Sequence, residues 1–284
     1  MRENEIESLE ITLILDAIYS RYGYDFRDYA RASMERRVKH YQKKSGYKSI
    51  SEMIPRLLHD ETFFQSLIHE FSITVTEMFR DPGEYRVIKE KVIPILKTYP
   101  YIKVWHAGCA TGEEVYSLAI LLEEAGLYKK TTIFATDFND EVLETARQGI
   151  YKLDNIQQCT KNYQQSGGSE SFSQYYHAKY ESIVMDKSLK KNITFANHNL
   201  ASDFTFSEMN LILCRNVMIY FNANLQNRAL NLFDDSLLQG GFLCLGNKES
   251  LMFWDGNKKY HAVEGNSKIY RKLYLQEELS KLSR

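Results

Sequence analysis

From residue 102 onward the chain alternates short apolar runs with longer amphipathic stretches. The runs are "IKVWHA" (102–107), "TIFATD" (132–137), "MNLILC" (209–214), "GFLCLG" (241–246) and "SKIYRKLYL" (267–275). Strands that alternate with helices pair side by side in parallel, and the connecting helices cover both faces of the sheet. The pattern therefore predicts an α/β domain with a doubly wound sheet. In such a sheet ligands sit outside the carboxyl ends of the strands, where the strand order reverses.

The first of those ends carries "HAGCATGEE", residues 106–114. Gly108 and Gly112 let the backbone turn tightly and approach a ligand, but the spacing is not the full G-x-G-x-x-G of a dinucleotide fingerprint. There is also no Gly-Lys-Ser/Thr ending to hold a triphosphate, and Glu113 and Glu114 would repel a phosphate. Two carboxylates suit a cation such as an ammonium or sulfonium. The second run ends in Asp137, twenty-five residues after Gly112, where an acidic side chain takes the hydroxyls of a ribose. Ribose plus positive charge without phosphate points to S-adenosylmethionine, with a nicotinamide dinucleotide as the open alternative.

The first eighty residues have helical periodicity instead. Ile6, Leu9, Leu13 and Ala17 share one face, and Met34, Val38 and Tyr41 share another in a segment ending before Gly46. Ser49 or Ser51 is placed to cap a short helix, and Asp60 to cap "ETFFQSLIHEF". The division expected is a helical domain over 1–80 and an α/β domain over 81–284. Within the latter, the polar, tyrosine-rich stretch 150–192 reads as an inserted subdomain. Thirty-six basic and 37 acidic side chains nearly cancel, so nothing global favours nucleic acid or membrane. No window reaches the ~20 apolar residues of a membrane span, and the N-terminus lacks a signal-peptide pattern. The four cysteines form no C-x-x-C pair, which fits a reduced cytoplasm. The seven histidines show no ligand spacing, so no metal is expected.

Five segments, "SITVTEMFRDP", "VWHAGCATGEEVYSLA", "FATDFNDEVLETARQGIY", "NHNL" and "LILCRNVMIYF", occur in that order. Together they resemble the CheR family of S-adenosylmethionine-dependent protein-glutamate O-methyltransferases that act on chemotaxis receptors, over about residues 10–275. The resemblance implies a helical N-terminal domain, a Rossmann-like methyltransferase domain with a small inserted β-subdomain, and S-adenosylhomocysteine as product. It further implies that Thr74, Thr76 and Arg80 form the N-x-T-x-x-x-R cofactor segment, that Gly108, Glu114 and Asp137 contact the cofactor, and that Asn199 and Leu200 lie on its adenine side. Arg215, Asn216 and Tyr220 match the segment over the methyl-transfer site. Three departures stand out: Thr74 replaces the family's asparagine, Val115 replaces a proline, and "GNKES" at 246–250 puts Lys248 in a "GHSE"-like segment.

A glutamate carboxyl has an ordinary pKa of about 4.3, so the expected substrate is already a nucleophile at neutral pH and needs no general base. Arg80, whose planar fork can grip a carboxylate, and Tyr220 are the candidate groups for aligning the reactants. Between Arg27 and Lys48 eight basic residues face two acidic ones, Asp28 and Glu35. In the family the corresponding helix docks on the acidic methylation region of the receptor; no aromatic-interleaved nucleic-acid motif accompanies it here. Taken singly, each has a bland alternative: Asp137 as a helix N-cap, Arg215 as one half of a surface ion pair, Tyr220 as core packing, and 27–48 as a solvated helix face. Two other functions fit the same fold: methylation of a non-receptor substrate, and a cofactor-binding signalling module without catalysis.

Overall fold

The computed structural model describes residues 2–72, 76–205 and 208–274. They form two compact units: Met1–Ile73 with Asn199–Phe204 and Met218–Ala229, and Thr74–His198 with Thr205–Val217 and Leu230–Arg284.

The first unit is built on α1 (Glu3–Tyr22), α2 (Arg31–Lys44), α3 (Ile54–His59) and α4 (Glu61–Phe71). Gly23, at φ 79°, ends α1 in the left-handed conformation that favours glycine. Asp60 caps α4 as expected, its Oδ1 accepting from the amides of Thr62 at 3.0 Å and Phe63 at 3.1 Å. The buried face of α1 corrects the sequence expectation. Ile11, Ile14, Leu15 and Ile18 are inside, whereas Ile6, Leu9 and Leu13 are 46–48% exposed. Helix α1 carries two apolar stripes, and periodicity alone cannot say which one turns inward. On α2, Met34, Val38 and Tyr41 are buried as expected.

The second unit opens with α5 (Pro82–Val87), a wide π turn (Ile88–Val92) and α6 (Ile93–Leu96). Pro94, lacking an amide hydrogen, removes one bond of the ladder beside that turn. There follow β1 (Ile102–Ala107), α7 (Glu113–Glu124), β2 (Thr131–Asp137), α8 (Asp140–Gln148), β3 (Ile150–Lys152), α9 (Ile156–Gln165), β4 (Tyr176–Lys179), β5 (Ser182–Met185), β6 (Ile193–Asn197) and β7 (Met209–Cys214). Helix α10 (Ala223–Ser236), β8 (Leu237–Leu245), β9 (Tyr260–Ala262) and β10 (Ile269–Lys272) complete the chain order.

The main sheet runs β6-β2-β1-β7-β8-β10-β9. The first five strands are parallel, while β10 is antiparallel to both β8 and β9. The sheet is therefore mixed, because the chain reaches β10 from β8 without a crossover helix. Strands β6 and β9 escaped the sequence reading: each is short, sits at a sheet edge and buries little of itself. Strands β3, β5 and β4 form a separate antiparallel sheet. Strand β1 lies between β2 and β7, so the order reverses at its carboxyl end. Trp105 fills the sheet centre, with its Nε1 donating to Thr136 Oγ1 at 2.9 Å.

The two stripes of α1 differ in consequence. Ile14→Ala should lower stability by about 2–4 kcal/mol, whereas Leu13→Gln should stay within about 0.5 kcal/mol of wild type. Urea unfolding followed by circular dichroism reads both; equal losses would contradict the buried face described.

Candidate active site

The loop from β1 into α7 is shaped by three left-handed residues: Gly108 at φ 74°, Ala110 at φ 46° and Gly112 at φ 91°. A Cβ on Gly108 would stand 2.5 Å from Val217 Cγ2, and one on Gly112 would stand 2.8 Å from Ala146 Cβ. Glycine is thus required twice, for backbone conformation and for close packing. The Gly108 and Cys109 amides donate to Thr136 O at 2.8 and 2.9 Å, which ties the loop to the end of β2. Tyr151, on β3, donates its hydroxyl to Thr111 O at 2.7 Å.

Asp137 is buried where β2 ends. Its Oδ2 accepts from the Ala110 amide at 3.0 Å and its Oδ1 from the Asn139 amide at 3.1 Å. Burial pushes its carboxyl up to about 6, against the pull of those amides. The cap of α8 is Asn139, whose Oδ1 accepts from Glu141 N, so Asp137 is not used as the cap. The Phe138 amide also pulls on the Asp137 carboxyl, but a carboxylate has about four acceptor positions, so capacity remains for a hydroxyl donor.

Glu114 opens α7 and is buried, paired with the equally buried guanidinium of Arg215 just beyond β7. Arg215 Nη2 also reaches Asp81 Oδ2 at 2.8 Å and Arg80 O at 3.0 Å. Burial raises the pKa of Glu114, while Arg215 and Arg80 pull it down. Burial works against the charge on Arg215 more than any single neighbour favours it, but the Glu114 carboxylate together with Tyr85, Cys244 and Asp81 outweighs burial and keeps the guanidinium protonated. Arg215 therefore pairs internally rather than with a surface carboxylate, and most of its donors are taken by protein groups. The segment bearing Arg80 is docked on α7 through Phe79 N, which donates to Ser117 Oγ at 2.8 Å.

Two further acid–base groups lie beside this cluster. Glu113 is pushed up to about 7 by burial, opposed by the Thr111 hydroxyl that donates to it at 2.6 Å. His106 Nε2 lies 3.9 Å from Glu114 Oε2, and burial followed by the charge of Arg215 drives its pKa down to about 3. It is a neutral packing group.

Gly108, Glu114, Asp137, Arg80, Arg215 and Asn216 thus converge at the carboxyl ends of β1, β2 and β7. Thr76 is half-buried, and Thr74 lies outside the described residues. Asn199, Leu200 and Tyr220 belong to the helical unit. There, Asn199 Oδ1 accepts from Ala201 N at 2.9 Å, Leu200 is buried, and Tyr220 O accepts from Ala30 N at 2.7 Å. Sequence reasoning missed two residues: Asp81, which pairs with Arg215, and Glu249, buried beside Asn216. Among the described residues no cluster of His, Cys, Asp or Glu is arranged for a metal, and no helix is long and apolar enough to cross a membrane.

Residues 74–269 match the family model described as the CheR methyltransferase SAM binding domain, and residues 9–72 match the CheR methyltransferase all-alpha domain. The chain belongs to the CheR methyltransferase family. A Pseudomonas putida protein named Cher3 is 47% identical over 264 residues, covering 93% of this chain and 97% of its own. Proteins named chemotaxis protein methyltransferase from Listeria innocua and Borreliella burgdorferi are 31% and 30% identical, spanning 81% and 89% of this chain and 86% and 91% of theirs. S-adenosylmethionine is accordingly the cofactor of this CheR-family chain, and methyl transfer its reaction.

The residues present suit that cofactor. Asn216 Oδ1 is a buried acceptor with no hydrogen-bond partner among the described residues, Asp137 keeps acceptor capacity, and Gly108 admits close backbone approach. Acceptors and carboxylates fit a cationic ligand rich in donors.

The Glu114–Arg215 pair sets a pH test. Arg215→Leu leaves a buried, unpaired carboxylate, at a cost of about 3–5 kcal/mol. Without its partner the Glu114 carboxyl rises further above its unfolded pKa, and a raised acid destabilises once it ionises. The deficit should therefore grow as pH rises from about 5 to about 8 and shrink as Glu114 protonates. Chemical denaturation at both pH values measures it, and a deficit that is the same at both would refute the pairing.

Proposed function

We propose that the chain transfers a methyl group to glutamate side-chain carboxylates of a chemotaxis-type receptor or related signalling protein, giving the methyl ester and S-adenosylhomocysteine. The observation that carries this is that His106, the histidine beside the cofactor loop, has its pKa driven down to about 3 by burial and then by the charge of Arg215, which makes it too weak a base to take a proton from an amine or alcohol. A carboxylate acceptor is ionised near neutrality and requires no proton removal, unlike an amine or alcohol.

S-adenosylmethionine, when bound, supplies an electrophilic methyl on a sulfonium. The chain's own residues then divide the remaining work. Asp137 is assigned to the ribose hydroxyls, Gly108 to close backbone approach, and Asn216 Oδ1 to a ligand donor. Glu114 is assigned to the cationic side of the cofactor, and Arg215 holds it in place while favouring its ionised form against burial. Thr74, Thr76 and Arg80 are assigned to the cofactor's amino-acid end, with Arg80 also a candidate grip for a carboxylate. Asn199 and Leu200 are assigned to the adenine, and Tyr220 to the substrate oxygen. Attack of a carboxylate on a sulfonium disperses both charges, so excluding water and aligning the atoms supply most of the acceleration.

The basic stretch supports an acidic protein partner, in a narrower form than sequence suggested. Helix α2 covers only Arg31–Lys44, because Gly46 at φ 76° turns the chain out of the helix, so Arg27 and Lys48 flank it. Several of its charges are met within the helical unit: Arg27 by Asp25, Arg31 by Glu35, Lys39 by Glu7, and Lys44 by Glu70. Arg37 is half-buried and donates to Glu70 O at 2.9 Å, with its guanidinium 5.7 Å from the Tyr220 ring centroid. Arg36, Lys43 and Lys48 make no side-chain ion pair among the described residues, and these are assigned to the substrate.

Two measurements test the assignment. Calorimetric titration with S-adenosylmethionine should show affinity falling as pH drops through about 6, because protonated Asp137 accepts fewer hydrogen bonds, with a limiting slope of roughly tenfold per pH unit. Asp137→Ala should weaken binding at least about tenfold and flatten that pH dependence; an unchanged profile would remove Asp137 from the site. Separately, Arg36→Glu combined with Lys43→Glu should raise KM for an acidic receptor fragment about tenfold or more, leaving cofactor affinity as it was. Cofactor binding without turnover on any acidic receptor fragment would favour a signalling module instead.

A further inference from the structure

Glu249 is a buried carboxylate, 5% exposed, whose two oxygens gather backbone amides from two loops. Its Oε2 accepts from Gly246 N at 2.6 Å and Asn216 N at 3.1 Å, and its Oε1 accepts from Val217 N at 3.0 Å. The loop after β8 is thereby fastened to the loop after β7. A Cβ on Gly246 would stand 2.7 Å from Asn216 N and 2.8 Å from Glu249 Oε2, so no side chain can enter that fork. Asn216 sits at φ 60°, in the left-handed region that Asn tolerates better than most side chains and that the amide hydrogen bonds to Glu249 hold in place. Val217, held by the same carboxylate, is the residue against which Gly108 packs without room for a Cβ.

We propose that Glu249 is a positioning residue for methyl transfer: by clamping the Asn216, Val217 and Gly246 amides it sets the Asn216 side chain and the Gly108 backbone where the cofactor is taken. This rests on the site assignment above. The physical warrant is that an ionised carboxylate accepts amide hydrogen bonds about twice as strongly as a neutral carbonyl and can serve several at once. With those bonds made, Asn216 keeps its left-handed turn and presents its partnerless Oδ1 as a fixed acceptor. Without them, the loops after β1, β7 and β8 lose their common anchor.

The alternative is that Glu249 only stabilises the fold, and the test is built to separate the two. Glu249→Gln keeps the shape but turns one of the two acceptor atoms into a donor facing an amide. Asp234→Asn serves as control: Asp234 is also buried and accepts from Lys259 at 2.6 Å and Tyr260 at 2.9 Å, on residues remote in sequence from the three loops. Hydrogen–deuterium exchange on the full chain should speed up together at 215–217 and 246–249 in Glu249→Gln and at neither in Asp234→Asn. Calorimetry with S-adenosylhomocysteine should show about tenfold weaker binding for Glu249→Gln, against less than about twofold for Asp234→Asn. If Glu249→Gln fails to fold, Glu249→Asp, which keeps the charge but not the reach, should show the same paired exchange and an affinity loss of a few-fold. Unchanged exchange, wild-type affinity in the folded variant, or equal affinity losses in variant and control overturns the proposal. A wild-type chain that binds no S-adenosylhomocysteine would instead sink the site assignment, and the exchange pattern alone would then decide whether the clamp exists.

Discussion

The ion pair between Glu114 and Arg215 is the constraint to which the α/β unit is built. Both charges are almost wholly removed from water, which costs several kcal/mol per ion unless each meets an opposite charge with good geometry. The pair joins the first turn of α7 to the end of β7, and through Asp81 and the Arg80 carbonyl it also holds the segment entering α5. Elements more than a hundred residues apart in sequence are thus held at one point of the sheet. A carboxylate at the start of a helix is favoured by the helix dipole as well, so Glu114 receives support from both sides.

Around that pair, negative groups outnumber positive ones. Glu113, Glu114, Asp81, Asp137 and Glu249 gather at the carboxyl ends of the strands, and burial raises the carboxyls of Glu113, Glu114 and Asp137. Such a cluster holds together because amides and one guanidinium satisfy it: Ala110 and Asn139 for Asp137, Gly246, Asn216 and Val217 for Glu249. The result is a rigid polar cradle that suits a cationic, hydroxyl-rich ligand and would repel a phosphate. The same preorganisation suits methyl transfer, in which aligning the reacting atoms supplies much of the acceleration.

The loop at 108–112 and its acidic end were legible in sequence because glycine spacing and charge are local properties. So were Asp137 at the end of β2 and Asp60 at its cap. The exposed stripe of α1, the antiparallel β10, and the edge strands β6 and β9 were not, since each depends on what lies opposite it across the core or the sheet. Arg215 was legible as a motif residue, but its internal partner Glu114 was not, because the two are 101 positions apart. The basic stretch appeared as an undivided charge run, and only the packing of α1, α2 and α4 shows which cations are already met by Glu7, Glu35 and Glu70.

By itself the sequence determined the class of fold, the acidic glycine loop after β1 and the family to which the chain belongs, because alternating hydrophobic runs, glycine spacing and ordered motifs are written in neighbouring residues. Tertiary structure alone decided which carboxylates are buried, which cation each one meets, and that Glu249 joins the loops around Asn216. Those outcomes depend on desolvation and hydrogen-bond geometry between distant segments, and neither exists until the chain has folded.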